Sequence, residues 1–124
     1  MTRTVSGVVG VGGEFVVRGR ILLPAGERPV RAARVVTRAE DAGRADAPAV
    51  VIAEAVQEAV ALPGRDGVPF EIRVPAAAAG RCTLRFHVDV TGSGGVTAGD
   101  YVSTRVYPVA AFPAGLDVPM SRVT

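Results

Sequence analysis

Arg81-Cys82-Thr83-Leu84-Arg85-Phe86-His87-Val88-Asp89-Val90 is the stretch whose reading decides the fold class. Cys82, Leu84, Phe86, Val88 and Val90 fall on one side of an extended chain, and Arg81, Thr83, Arg85, His87 and Asp89 on the other. Successive strand side chains point to opposite faces, so this alternation predicts a half-buried β-strand.

Downstream, Thr91 to Gly99 is a Gly-rich hairpin connection, and Asp100 to Val109 returns as the last strand. Upstream, Val68-Pro69-Phe70-Glu71-Ile72-Arg73-Val74-Pro75 alternates in the same way, with Phe70, Ile72 and Val74 sharing a face. Proline cannot donate to a ladder, so Pro69 and Pro75 mark this strand as an edge or a short one. Ala76 to Gly80 predicts a helical turn, and Leu62 to Gly67 a turn cluster.

Further upstream, Val50-Val51-Ile52 and Val35-Val36-Thr37 favour strands over residues 49–57 and 30–40, although the Ala and Glu around them also allow helices. Glu14 to Leu23 reads as a strand that ends at the turn Pro24-Ala25-Gly26. Strands divided by turn signals, without helix–strand alternation, predict an all-β domain. The expected form is an antiparallel two-sheet β-sandwich, immunoglobulin/transthyretin-like, over residues 14–110. A Gly/Val-rich N-terminal segment (1–13) precedes it. A Pro/Gly-containing C-terminal tail (111–124) follows and is expected to be loosely attached.

The chain has 124 residues, enough for one domain with its own core. Fourteen Arg stand against twelve carboxylates, and the net charge of +2 is spread along the chain. Nucleic-acid binders carry a larger and clustered basic surplus, so no nucleic-acid partner is expected. No apolar run approaches the roughly eighteen residues of a membrane-spanning helix, so no membrane span is expected. As written, the chain is expected in the cytoplasm, or in the periplasm where a leader has been removed. The single Cys82 cannot form an internal disulfide, and its place in an apolar row predicts a buried, inert thiol.

His87 and Asp89 would share a strand face about 7 Å apart, a pair able to orient an imidazole for base chemistry. Ser6, Ser93, Ser103 and Ser121 lack a nucleophile motif, so the expected reading is a solvated face and no catalytic residues. Asp41, Asp46, Asp66, Asp89 and Asp100 are scattered without the spacing of a calcium loop, so no metal and no cofactor are expected. Gly92-Ser93-Gly94-Gly95 lacks the following Lys of a phosphate loop and reads as a hairpin tip. Arg18, Arg20, Arg73, Arg81, Arg85 and Arg105 form either a partner-binding patch or a set that solubilises strand faces.

Ala45-Asp46-Ala47-Pro48-Ala49-Val50-Val51-Ile52-Ala53-Glu54 resembles a stretch of the YbaY-type lipoproteins, the family that includes the YscW secretion pilotins. Arg20 to Gly26, Val68 to Ile72 and Tyr101 to Val109 resemble three further segments of that family, in the same order. The resemblance implies a small β-sandwich without enzymatic activity. For the pilotin members it implies a chaperone-like role toward an outer-membrane secretin subunit. It carries over no functional residues.

The leading expectation is therefore a non-enzymatic binding or adaptor domain, pilotin-like. It contacts a protein partner, or a second copy of itself, by pairing at an exposed sheet edge. The candidate edges are strands 68–75 and 101–107, with Phe70, Ile72, Arg73, Tyr101, Ser103 and Arg105 as contact residues. The alternative is a small-ligand or glycan-binding sandwich using loops 41–48 and 91–99, which the absence of Trp disfavours.

Overall fold

The computed structural model describes residues 13–41, 43, 47–64, 66–109 and 115–124. Eight strands and one short helix follow in order: β1 (Glu14–Leu22), β2 (Arg31–Asp41), β3 (Val50–Ala61), β4 (Val68–Pro75), α1 (Ala76–Ala79), β5 (Cys82–Asp89), β6 (Tyr101–Ser103), β7 (Tyr107–Pro108) and β8 (Leu116–Arg122). The all-β expectation, the helical turn after Pro75 and the strands at 30–40 and 49–57 match this order. The N-terminal segment lies outside the described residues apart from Gly13.

The strands form one sheet in the order β3-β2-β5-β6-β8-β1-β4, with β7 also on β5. Most neighbours are antiparallel, but β1 and β8 are parallel, so the sheet is mixed. This corrects the purely antiparallel two-sheet arrangement: the chain makes a single path that curls until its two end strands, β3 and β4, come close.

The expected tail is also corrected. Residues 116–122 form β8, an interior strand between β1 and β6. Leu116, Val118 and Met120 are buried, and the exposed Asp117 and Pro119 alternate with them. The proline is tolerated near the end of its pairing with β1, opposite Leu22. The approach of β8 to β1 needs Gly19, because a Cβ there would lie 1.7 Å from the Leu116 carbonyl oxygen.

The inward face collects the apolar halves of the alternating strands. Val17 and Ile21 of β1, Ile72 and Val74 of β4, Leu84 and Val88 of β5, and Val118 of β8 are almost fully buried. Each such aliphatic contributes roughly 1.5–3 kcal/mol by leaving water. Phe86 packs edge-on against Phe70 at 4.8 Å and Tyr107 at 5.9 Å between ring centroids. Cys82 is a buried free thiol, and burial pushes it above the usual thiol range. No helix among the described residues is long and apolar enough to cross a membrane.

Candidate functional site

The two strands at the ends of the sheet, β3 and β4, are consecutive in the chain and joined by residues 62–67. Following the pairings from β4 through β1, β8, β6, β5 and β2 shows that they run in opposite directions. They have the geometry of a hairpin whose strands share no ladder. A wide, open cleft lies between them at the surface, lined by Ala55, Val56, Gln57, Pro69, Phe70 and Glu71 among others.

The backbone of β4 shows which of its groups face this cleft. In an antiparallel pair, residues alternate between exchanging both main-chain bonds with their partner and exchanging none. Pro69 has no N–H, and its carbonyl accepts a hydrogen bond from Gln57 Nε2 of β3 at 3.0 Å. Pro69 therefore presents its backbone to the seam. By alternation Glu71, Arg73 and Pro75 do the same, whereas Val68, Phe70, Ile72 and Val74 bond to β1. The two prolines trim the donors of this edge to the N–H groups of Glu71 and Arg73.

On the other side of the seam, β3 is the least buried long strand. Its inward positions beside Thr37 and Ala39 of β2 are Ala55 and Ala53, small and only half-buried. Val50, Val51 and Val56 are exposed. A bulge at Ala39/Glu40 leaves Ile52 without an opposite residue, and Ala59 has φ 51, so the strand is irregular near both ends.

The structure separates the six expected contact residues. Phe70 and Ile72 do lie on an end strand, but their side chains point into the core. The strand offers its backbone, with Arg73 on the outer face beside Glu14 at 3.7 Å and Glu71 at 3.5 Å. The expectation of an edge at 101–107 is corrected. β6 is interior, flanked by β5 and β8, and β7 pairs with β5. Tyr101 is buried, and Ser103 Oγ accepts the Phe86 N–H at 3.0 Å. Arg105 is exposed in the bend between β6 and β7. The Arg set does not converge either. Arg18 pairs with Glu71, Arg20 with Asp117, Arg81 with Asp41 and Arg85 with Glu40, so these cations sit in local pairs along the faces.

His87 meets Asp100 rather than Asp89. Its Nε2 lies 2.8 Å from Asp100 Oδ2. Asp100 also accepts from the main-chain N–H groups of Val90 and Thr97 and from the Thr97 hydroxyl. Asp89 accepts from the Gly92 and Gly94 N–H groups and from Arg34 at 3.1 Å. Burial alone would push both carboxyls up. For Asp100 the bonds from His87, Thr97 and Val90 outweigh it, and for Asp89 those from Gly94, Gly92 and Arg34 do, so both sit below the usual carboxylate range.

Ligand atoms of His87, Asp89 and Asp100 lie within 4.8 Å of one another, a spacing compatible with a cation. Both oxygens of each carboxylate already receive N–H or O–H donors, however, and a guanidinium occupies one side. The cluster anchors the loop from 90 to 100. Gly92, Gly94 and Gly99 take positive φ there, which lets the main chain turn its N–H groups onto the two acids. Outside it, a small groove of about 150 Å³ runs past Val36, Arg38, Arg85, His87, Val96 and Val102.

No protein-family model and no curated protein matches this chain. Among solved structures it is similar to an alternative pilotin from the type II secretion system of Vibrio cholerae. The likeness is one of fold. The TM-score is 0.61 at 18% sequence identity, over 88% of this chain and 98% of that one. It supports the small β-rich fold that the sequence resemblance implied, while no family model, that of the YbaY-type proteins included, matches the chain.

Sequence reasoning missed three elements of these sites. Gln57 and the Pro69 carbonyl meet only because β3 and β4 end the sheet. A visible signal for the seam was the run of small residues Ala53, Ala55 and Ala59 in β3. Asp100 was legible only as the acid that closes a Gly-rich loop.

Proposed function

We propose that this chain is a non-enzymatic binding domain, pilotin-like in role, that takes an extended segment of a protein partner at the seam between β3 and β4. The observation that carries this reading is the pair of neighbouring strands that keep unpaired main-chain edges beside a cleft. Unpaired strand edges are templates for a further strand, with main-chain bonds supplying affinity and alternate side chains selectivity. The cleft presents Ala55, Val56 and Gln57 on the β3 side and Pro69, Phe70 and Glu71 on the β4 side. The fold similarity to a pilotin supports a role in partner binding. The engagement of His87 with the loop-anchoring Asp100 supports a structural use of the imidazole.

A photo-crosslinking amino acid at position 55, with a control at position 91 in the exposed loop, tests the reading in the cells that make the protein. The expected result is capture of one protein through one short segment from position 55 alone. Capture should be lost in Arg73→Pro, which removes a seam-facing N–H. Equal capture from both positions, or capture indifferent to Arg73→Pro, would overturn it. Sedimentation at rising concentration separates a second protein from a second copy of this chain as the occupant.

A further inference from the structure

The Gln57 side chain joins β3 to β4 across the cleft. It donates to a main-chain carbonyl that faces an open sheet edge, where the ordinary donor is the backbone N–H of a neighbouring strand. Pro69 cannot reciprocate, because it has no N–H. Gln57 itself is half-buried, and its neighbours along the strand, Val56 and Glu58, are exposed. The bond is thus a side-chain clasp between strands that share no ladder.

We propose that Gln57 is a stand-in donor that holds the seam closed, and that a partner strand must displace it by supplying its own N–H to the Pro69 carbonyl. The proposal rests on the strand-addition reading and adds to it a gate and a demand on the ligand. The Pro69 carbonyl is exposed, so water competes for it, and the clasp favours the closed seam in the free protein by about 1 kcal/mol. An incoming strand satisfies the same carbonyl with a main-chain donor and adds bonds to Glu71 and Arg73. Gln57 then returns to solvent. A segment with proline at the residue facing Pro69 cannot make this exchange.

The test compares the wild-type protein, Gln57→Ala and Gln57→Asn. The Asn variant keeps the amide but is one methylene too short to reach. The probe is a fluorescein-labelled eight-residue peptide of alternating valine and lysine, titrated by anisotropy. Both variants are expected to bind about three- to tenfold tighter than wild type, the range that follows from removing one competing hydrogen bond. In NMR spectra of the wild type, the Gln57 side-chain NH₂ signals should move toward solvent-exposed positions as the peptide saturates the protein. Unchanged or weaker binding by both variants, or Gln57 signals that stay in place at saturation, overturns the gate while the strand-addition reading stands. Absence of peptide binding by all three proteins overturns that reading as well.

Discussion

The corner around Asp89 and Asp100 and the seam between β3 and β4 treat polar groups in opposite ways. At the corner, two buried carboxylates accept four main-chain N–H groups, from Val90, Gly92, Gly94 and Thr97, together with His87, Arg34 and the Thr97 hydroxyl. At the seam, the hydrogen bond between β3 and β4 among the described residues is made by a side chain, that of Gln57. The corner is chemically the richer, since it holds the single His and a cation-like spacing of ligand atoms, yet its groups are saturated. The seam carries no notable side-chain chemistry, yet its main chain is open. Polar residues gathered in one place indicate a site only when their hydrogen-bonding capacity is left over; here it is left over on the backbone.

The sharpest test of the contrast sets two prolines side by side on β4. Ile72→Pro removes an N–H bonded to β1 and a core side chain, so it should cost more than about 3 kcal/mol and prevent folding in urea titrations. Glu71→Pro removes a seam-facing N–H and the exposed ion pairs of Glu71 with Arg18 and Arg73, so it should cost much less than Ile72→Pro, while strand capture is lost. Equal destabilisation by the two would show that the seam edge is not free. Next comes Gly19→Ala, at a closed joint of the sheet. Its Cβ would meet the Leu116 carbonyl, so β8 must shift, and stability should fall by roughly 3 kcal/mol by thermal or urea unfolding.

At the corner, Asp100→Asn replaces an acceptor oxygen with an NH₂ that faces existing donors. It should lose about 2 kcal/mol, a typical value for hydrogen bonds to a charged group. The same corner sets an acid limit. Asp89 and Asp100 have folded values below the ordinary 3.8, so their contribution to stability is complete above that value. It is lost as pH falls through the lower folded values, where protonation ends the carboxylate bonds. The melting temperature should therefore drop below about pH 4, and the Asp89→Asn/Asp100→Asn double variant should show a flatter drop. The smallest effect belongs to the seam: Val51→Thr and Val56→Thr change exposed side chains and should alter stability by no more than about 0.5 kcal/mol.

How far the residues themselves disclosed this molecule differs from one segment to the next. In β4 and β5 the alternation of Phe70, Ile72 and Val74 and of Cys82, Leu84, Phe86 and Val88 was enough to assign strands and their inward faces. Leu116, Val118 and Met120 alternate as plainly, but Gly115 and Pro119 suggested a tail. Those residues break a strand only where their missing side chain or N–H matters, and that depends on the neighbour. Tyr101 and Ser103 looked like edge residues because nothing local announces that β8 will cover β6. Arg73 was correctly placed on an end strand, whereas the useful feature of that strand lies in the main chain of Glu71 and Arg73.

The amino-acid sequence alone determined which segments extend and which side chains turn inward, because a period of two is a property of the strand itself. Tertiary structure alone decided the neighbours: the insertion of β8 beside β1, the pairing of His87 with Asp100, and the seam clasped by Gln57. Every non-proline residue carries the same N–H and C=O, so the order of strands is not written in any one of them. That order is settled by which faces can be buried together, and only then does it become clear which edge remains without a partner.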